Sequence, residues 1–207
     1  MSTGGIVLAG GGSRRMGQPK AMLPFGPERM LQRVVRLLRE AVDPVVVVAA
    51  AGQDLPELPT AVLLARDRRP NRGPLEGIAA GLRALGERVE AVYVTGCDVP
   101  LLVPGFVRRV IELGAGCDVA VANVDGHDEP LAAVYRVGVL PEVEKLLACD
   151  CLRSALLFDR VPTRRIPGEQ LLDVDPMLDS VANVNTPEDY RATLARAGFE
   201  QPPEAMT

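Results

Sequence analysis

The sequence predicts an α/β fold of three layers, in which a mostly parallel β-sheet is covered by helices on both faces. Short apolar runs of strand length alternate with longer amphipathic runs along the 207 residues, as in folds built from βαβ units. The short runs are apolar throughout, which is typical of strands buried on both faces of a parallel sheet. Apolar residues make up 47% of the chain, which is enough for one substantial core.

The predicted strands are rich in valine and other apolar residues and lie at 5–10, 44–50, 61–66, 90–96, 117–123 and 130–136. The predicted helices carry apolar residues three or four positions apart and lie at 28–42, 74–85, 104–114, 138–148, 151–158 and 186–198. The last helix has clear end signals. Thr186 suits the N-cap, Pro187 the first helical position and Gly198 the C-terminal cap. We expect one domain over 1–198 and a flexible tail over 199–207.

Composition argues against several classes of protein. A net charge of −4 and an aromatic content of 3% are unlike those of a nucleic-acid binder. The longest apolar run, 45–51, is too short to cross a bilayer, and the first residues lack a signal-peptide pattern. We therefore expect a cytoplasmic protein without a membrane partner. Four cysteines and one histidine, without zinc-ligand spacing, favour free thiols over a zinc site.

The stretch VLAGGGSRRMGQPK, residues 7–20, combines four glycines with three cations. Bare backbone amides beside arginine and lysine side chains can cradle phosphate, although a glycine-rich turn with solvated arginines would have the same composition. Two familiar phosphate loops do not fit. Arg15 stands where the dinucleotide fingerprint needs glycine, which disfavours an NAD-linked oxidoreductase, and Gln18 follows Gly17 where the P-loop needs lysine.

Two aspartates follow predicted strands and are expected at the carboxyl edge of the sheet, where such folds bind ligands. Asp98, in VYVTGCDVP, could hold Mg²⁺ together with substrate phosphates, or could cap the next turn. Asp67 could accept hydrogen bonds from the N1–H and N2–H₂ edge of guanine. Four arginines near Asp67, at positions 66, 68, 69 and 72, fit a solvated, mobile loop equally well.

The run LAGGGSRRMGQPKAMLPFG closely resembles the signature L-A-G-G-x-x-x-R-M-G-x-x-K of nucleotidyltransferases that act on sugar phosphates and cofactor phosphates. The D…GPLxGIxxGL arrangement that begins at Asp67 resembles the molybdenum cofactor guanylyltransferases, as do CDxP at 97–100 and the runs at 128–136 and 182–190. The resemblance spans Gly5 to about Leu194. It implies a Rossmann-like nucleotidyltransferase fold, with a nucleotide-binding half at about 1–115 and an acceptor-binding half at about 116–198.

The resemblance also implies roles for individual residues. Lys20 and Arg15 would meet the phosphates and act in catalysis together with Asp98, which would hold the Mg²⁺ cofactor. The implied nucleotide-binding residues are Leu8, Ala9, Gly10, Gly11, Gly12, Lys20, Asp67 and Asp98. Asn183 and Asn185 would bind the acceptor, since alternation along an extended strand would put both amides on one face. They could instead cap the following helix.

The implied reaction transfers GMP from GTP to the terminal phosphate of molybdenum-molybdopterin and releases pyrophosphate, with molybdoenzymes or their chaperones as further partners. A phosphate oxygen is already nucleophilic at neutral pH, so positioning and charge neutralisation would suffice without a general base. One departure leaves the base open. The subfamily often has asparagine where this chain has Ala49–Ala51, and Gln53 could supply that contact. A cytidylyltransferase on the same cofactor, a sugar-phosphate nucleotidyltransferase and a non-catalytic nucleotide-binding regulator remain alternatives.

Overall fold

The fold was analysed in a computed structural model, which describes residues 2–10, 18–67 and 72–200. The strands within these ranges are β1 (Thr3–Leu8), β2 (Pro24–Phe25), β3 (Glu28–Arg29), β4 (Val45–Ala49), β5 (Leu63–Arg66), β6 (Ala91–Gly96), β7 (Val119–Val124), β8 (His127–Arg136) and β9 (Thr163–Pro167). The α-helices within them are α1 (Met30–Arg39), α2 (Gly73–Leu85), α3 (Pro104–Leu113), α4 (Leu140–Ala148), α5 (Ala155–Phe158) and α6 (Pro187–Arg196).

Seven strands form the central sheet of the described chain, in the order β5-β4-β1-β6-β8-β7-β9. Strand β8 runs antiparallel to both of its neighbours, and the other pairs are parallel. Helices α1 and α3 pack on one face of this sheet, and α2, α4 and α5 pack on the other. The predicted three-layer α/β fold with a mostly parallel sheet is confirmed.

Alternation along β1 shows how the two faces are separated. Val7 faces the core under α1 and α3, whereas Ile6 and Leu8 face α2. Helix α2 approaches β1 closely because Gly77 and Gly81 lie against these side chains. A Cβ atom on Gly77 would lie 2.9 Å from Leu8 Cδ2. This close approach seats the beginning of α2 beside the carboxyl end of β1.

A third, smaller core joins the hairpin β2–β3 to helix α6. Its buried residues are Leu23, Phe25, Met30, Val184, Tyr190 and Leu194. The ring of Phe199 packs edge-to-face on that of Phe25, with 5.7 Å between the ring centroids. Phe199 was expected in the flexible tail but belongs to this core, while residues 201–207 lie outside the described residues. Because Lys20 precedes the hairpin and Asn185 precedes α6, this core positions both.

The structure adds two features to the predicted elements and lacks one predicted strand. The hairpin β2–β3 and the edge strand β9 were not predicted. Strand β9 buries Ile166 but leaves most of its other side chains accessible, so its sequence carries little apolar signal. The segment 182–185 is not a strand, in contrast to the prediction, although its Val184 N–H donates to the backbone oxygen of Asp98 at 2.8 Å. Within the described residues, no helix combines the length and apolarity that crossing a membrane requires.

Candidate active site

A cleft of about 800 Å³ opens at the carboxyl ends of β1, β4, β5 and β6, the edge where parallel sheets bind ligands. Several residues that the sequence predicted for the site line it: Leu8, Ala9, Gly10, Lys20, Asp67 and Asp98. Three more, Gly11, Gly12 and Arg15, lie outside the described residues. All six of the predicted nucleotide-binding residues that lie within the described ranges therefore line the cleft.

Three side chains from distant parts of the chain meet at the mouth of this cleft. The ammonium nitrogen of Lys20 lies 2.8 Å from Asp98 Oδ2 and 2.8 Å from Asn185 Oδ1. The Lys20 and Asp98 side chains are 17% and 21% exposed, so a ligand can reach the pair. A cation placed between a carboxylate and an amide oxygen marks a position where positive charge is favoured.

Backbone contacts hold Asp98 in this position. It comes directly after β6, and its backbone oxygen accepts the hydrogen bond from Val184. On its other side, Gly96 leaves space for the carboxylate, since a Cβ atom there would overlap Asp98 Oδ1. Two residues after Asp98, the backbone oxygen of Pro100 accepts a hydrogen bond of 2.7 Å from Arg33 Nε. The loop after β6 is thus fixed from both sides.

The beginning of α6 positions Asn185. Thr186 caps this helix, as predicted, by accepting a hydrogen bond from Asp189 N at 3.1 Å. The Asp189 carboxylate accepts in return from the backbone N–H groups of Asn185 and Thr186, at 3.0 and 2.9 Å. These two bonds lower the pKa of Asp189. Asn183 is exposed, whereas Asn185 reaches Lys20, so the expected strand with both amides on one face is not formed.

Asp67 approaches the cleft from the end of β5. Its backbone N–H donates to Ala49 O at 3.0 Å, and its Oδ2 would lie 3.3 Å from a Cβ atom on Gly10. Its Oδ1 is buried and has no hydrogen-bond partner among the residues that the structure describes. Burial, together with the nearby negative charge of Glu76, raises the pKa of this carboxyl. A buried acceptor without a partner at a cleft wall fits a ligand that brings a donor.

The sequence suggested Gln53 as a contact for the base. In the structure, its side-chain amide binds two backbone groups instead. Its Nε2 donates to Ala9 O at 2.8 Å, and its Oε1 accepts from Ala50 N at 3.0 Å. The side chain therefore connects the end of β1 with the end of β4. Sequence reasoning missed this contact because it depends on how far apart the two strand ends lie.

Arg72 was expected in a solvated loop, and the structure places it in the cleft wall. Its side chain is 15% exposed and pairs with Asp150 at 3.0 Å. It also donates to the backbone oxygen of Leu147 at the end of α4. Arg66 pairs with backbone carbonyls of the turn after β4, and Arg68 and Arg69 lie outside the described residues. At least two of the four arginines are therefore structural partners.

The oxygen atoms around Lys20 are of the kind that Mg²⁺ prefers. In the described part of the chain, no group of three or more carboxylate, cysteine or histidine side chains is placed to hold a metal ion. Burial raises the pKa of Cys97 to about 12, and a buried thiol is a poor match for Mg²⁺, which takes oxygen ligands. The donor set that fits magnesium consists of Asp98 and Asn185, completed by ligand phosphates and water.

Comparisons with known proteins identify the family of the chain. Residues 5–163 match the model of the MobA-like NTP transferase domain. A probable molybdenum cofactor guanylyltransferase of Carboxydothermus hydrogenoformans is 37% identical over 192 residues, which cover 91% of this chain and 93% of that protein. A protein of the same description from Mycobacterium avium is 37% identical over 201 residues, covering 95% and 97% of the two chains.

Solved structures resemble the fold over most of its length. The molybdopterin-guanine dinucleotide biosynthesis protein A of Archaeoglobus fulgidus superimposes with a TM-score of 0.78 at 23% identity, covering 94% of this chain and 98% of that one. The 2-C-methyl-D-erythritol 4-phosphate cytidylyltransferase of Thermus thermophilus gives a TM-score of 0.70 at 18% identity, covering 96% and 100%. At these identities the likeness establishes the fold alone.

Proposed function

Because the chain belongs to the family of MobA-like NTP transferases, we propose that it transfers GMP from GTP to the terminal phosphate of molybdenum-molybdopterin. Membership makes the protein a nucleotidyltransferase, and its curated relatives carry the name of probable molybdenum cofactor guanylyltransferase. The products of the proposed reaction are molybdopterin guanine dinucleotide and pyrophosphate.

The observation that supports this proposal best is the meeting of Lys20, Asp98 and Asn185 at the cleft. The Lys20 ammonium, 2.8 Å from both oxygens, can turn towards a bound triphosphate and neutralise charge on it. Asp98, with Asn185, would hold Mg²⁺, which neutralises phosphate charge when bound. Arg15, outside the described residues, would add a second cation to the phosphates.

The chemistry needs little from the protein beyond positioning. An oxygen of the acceptor's terminal phosphate forms a bond to the α-phosphorus of GTP, and the bond from that phosphorus to the bridging oxygen of the β-phosphate breaks. The electron pair of the broken bond leaves with pyrophosphate. The attacking oxygen is ionised at neutral pH, so no proton has to be removed, and the cleft accordingly relies on charged and amide groups.

Asp67 supports guanine as the base. Its buried Oδ1 accepts no hydrogen bond from the described part of the chain, and the N1–H and N2–H₂ groups of guanine are donors that a carboxylate accepts together. Leu8, Ala9 and Gly10 form the neighbouring part of the cleft wall, where the nucleotide would lie against bare backbone. On the acceptor side, Asn185 and the exposed Asn183 are the residues proposed to meet the pterin or its phosphate.

A pyrophosphate-release assay tests the function. Purified protein, Mg²⁺ and molybdenum-molybdopterin would be mixed with GTP, CTP or ATP, and the dinucleotide product identified by mass. We expect pyrophosphate release that requires both GTP and the acceptor. Faster release with CTP would make the protein a cytidylyltransferase, and nucleotide binding without release would make it a regulator. Release with a sugar phosphate in place of the pterin would equally overturn the proposal.

A further inference from the structure

We propose that Gln53 is a positioning residue for the nucleotide, whose side-chain amide bridges the ends of β1 and β4 and so sets the separation of Gly10 and Asp67 in the cleft wall. This inference rests on the proposed function, because it concerns the same cleft. It assigns to Gln53 a role that differs from a direct contact with the base.

The register of the two strands shows what the amide replaces. In the parallel pair β1–β4, Leu8 lies opposite Val48, and Ala9 N donates to Val48 O at 2.8 Å. The next bond of a regular parallel ladder would join Ala50 N to Ala9 O directly. The Gln53 amide occupies that place, since its Oε1 accepts from Ala50 N and its Nε2 donates to Ala9 O.

The inserted amide has a geometric consequence. A direct bond would bring nitrogen and oxygen to about 2.9 Å, whereas the inserted amide adds its own width and a second hydrogen bond. Direct pairing of the two strands therefore ends at Ala9 and Ala50. The amide is inserted at the residue before Gly10, which lines the cleft.

The same contacts fix Gly10 relative to Asp67. A Cβ atom on Gly10 would lie 3.3 Å from Asp67 Oδ2 and 3.6 Å from Ala50 N, so the three groups surround one small volume. Asp67 is itself held to β4 through its bond to Ala49 O. If the end of β1 moved towards β4, Gly10 would close on the carboxylate that is proposed to bind guanine.

The turn that carries Gln53 is braced from outside the cleft. Arg66 Nη1 donates to Ala50 O at 2.8 Å and to Gln53 O at 3.0 Å. The backbone of Gln53 is thus held by a residue of β5, while its side chain points back to β1. Through these contacts, a single side chain fixes the end of β1, at Ala9, relative to β4 and β5.

The variant Gln53→Glu tests the role with almost no change in shape. A carboxylate can still accept from Ala50 N but cannot donate to Ala9 O, and it sets negative charge against that carbonyl. We expect the Kd for Mg-GTP to rise on the order of 10-fold or more at pH 7.5, with a smaller change in kcat at saturating GTP. Gln53→Met, which neither donates nor accepts strongly, should give a similar increase.

The pH dependence distinguishes positioning from general damage. A glutamic acid in its neutral form has an O–H that can donate to Ala9 O, so the defect of Gln53→Glu should shrink as the pH falls from 7.5 to 5. The quantity to compare is the ratio of the variant's Kd to the wild-type Kd at each pH, because burial raises the pKa of Asp67 and its protonation affects both proteins alike. Gln53→Met should show no such recovery.

The chain supplies a matched control in Gln32. Its amide also links two backbone groups, accepting from Arg29 N at 2.8 Å and donating to Glu57 O at 2.8 Å, but it lies outside the cleft. Gln32→Glu should leave the Kd ratio within about twofold at every pH. Thermal unfolding of all variants checks that each is folded at the assay temperature.

Several outcomes would overturn the inference. A folded Gln53→Glu variant that binds GTP as the wild type does would refute it, and so would a defect that does not change with pH. An equal defect in Gln32→Glu would also refute it. A wild-type protein that binds no nucleotide would refute the proposed function and the inference together, whereas a wild type that binds GTP beside an unaffected variant refutes the inference alone.

Discussion

Lys20 Nζ donates a hydrogen bond of 2.8 Å to Asn185 Oδ1, although 165 positions separate the two residues along the chain. The contact joins the turn before the hairpin β2–β3 to the beginning of α6, two elements that share a small core. It places an amide from the segment before α6 beside the cation proposed to meet the phosphates. The first predictions concern this contact.

Replacing Lys20 with alanine should lower turnover by roughly 10²-fold or more, since the ammonium would no longer neutralise charge on the phosphates. The assay is pyrophosphate release under saturating GTP. The matched control is Lys145→Ala, because Lys145 is the other lysine of the chain and pairs with Glu142 on the surface. Full activity of Lys20→Ala would show that the assigned role is incorrect.

Asn185 and Asn183 should behave differently when each is replaced with alanine. Loss of Asn185 removes a contact of Lys20, so kcat should fall by about tenfold or more even at saturating acceptor. Asn183 is exposed and should affect at most the KM for the acceptor. Steady-state kinetics with both substrates varied separates these effects. Equal losses of kcat in the two variants would contradict the assignment.

Gly96→Ala should impair the site without a change in any charged residue. The new Cβ atom would overlap Asp98 Oδ1, so the carboxylate would have to move from its position beside Lys20. We expect a loss of activity of about tenfold or more and a higher Mg²⁺ concentration for half-maximal activity, since a displaced carboxylate binds the ion less tightly. Gly138→Ala is the control, because a Cβ atom on Gly138 meets no atom within 4 Å. Titration of activity with Mg²⁺ provides the measurement.

Asp67→Asn should weaken GTP binding and yet leave the protein as stable or more stable at pH 7. Burial raises the pKa of Asp67, so the folded protein binds this proton more tightly than the unfolded chain does. Asp67 therefore makes its full contribution to the free energy of unfolding at low pH. This contribution is lost as the pH rises through the raised pKa. At neutral pH the charged carboxylate is a cost that asparagine removes.

Two measurements check the Asp67 prediction. Isothermal titration with Mg-GTP should show a Kd about tenfold higher or more for the variant, while the melting temperature at pH 7 should not fall. As the pH is lowered, the GTP affinity of the wild type should begin to fall at a higher pH than an ordinary aspartate would give, because protonation removes the acceptor. Asp54→Asn, at an exposed position in the loop after β4, is the control and should change neither quantity.

Phe199→Ala should destabilise the small core. The ring of Phe199 packs edge-to-face on Phe25, and the guanidinium of Arg33 lies 5.5 Å from its centroid. The free energy of unfolding should fall by roughly 1–3 kcal/mol, as expected for truncation of a partly buried aromatic ring. Urea denaturation measures the change. Phe199→Leu should retain most of the lost stability, and an alanine variant as stable as the wild type would place the ring outside the core.

Local sequence was sufficient to predict much of the fold. Valine-rich runs such as 44–50 have one dominant driving force, burial on both faces, and they form strands of the central sheet. Lys20 and Asp98 were predicted as partners in one site because a glycine-rich loop and a strand end both lie at the carboxyl edge of a parallel sheet. The structure brings these two side chains to 2.8 Å.

Other features depend on tertiary contacts that the sequence pattern does not contain. The segment around Val184 was predicted as a strand, but its backbone N–H pairs with the loop carbonyl of Asp98 rather than with a strand of the sheet. The local sequence of Arg72 is compatible with a solvated loop. Its partners, the Asp150 carboxylate and the backbone oxygen of Leu147, are brought to it by the tertiary fold around the end of α4. The role proposed for Gln53 follows from an amide inserted between two strand ends, a contact that no local pattern encodes.

The hydrogen bond between Val184 N and Asp98 O has a consequence for the newly made protein. The first half of the chain, with Lys20 and Asp98, leaves the ribosome well before the segment that supplies Asn185. A nascent chain that stops short of Val184 lacks both this bond and the Asn185 amide. The cluster of Lys20, Asp98 and Asn185 can therefore form only after the segment before α6 has emerged from the ribosome.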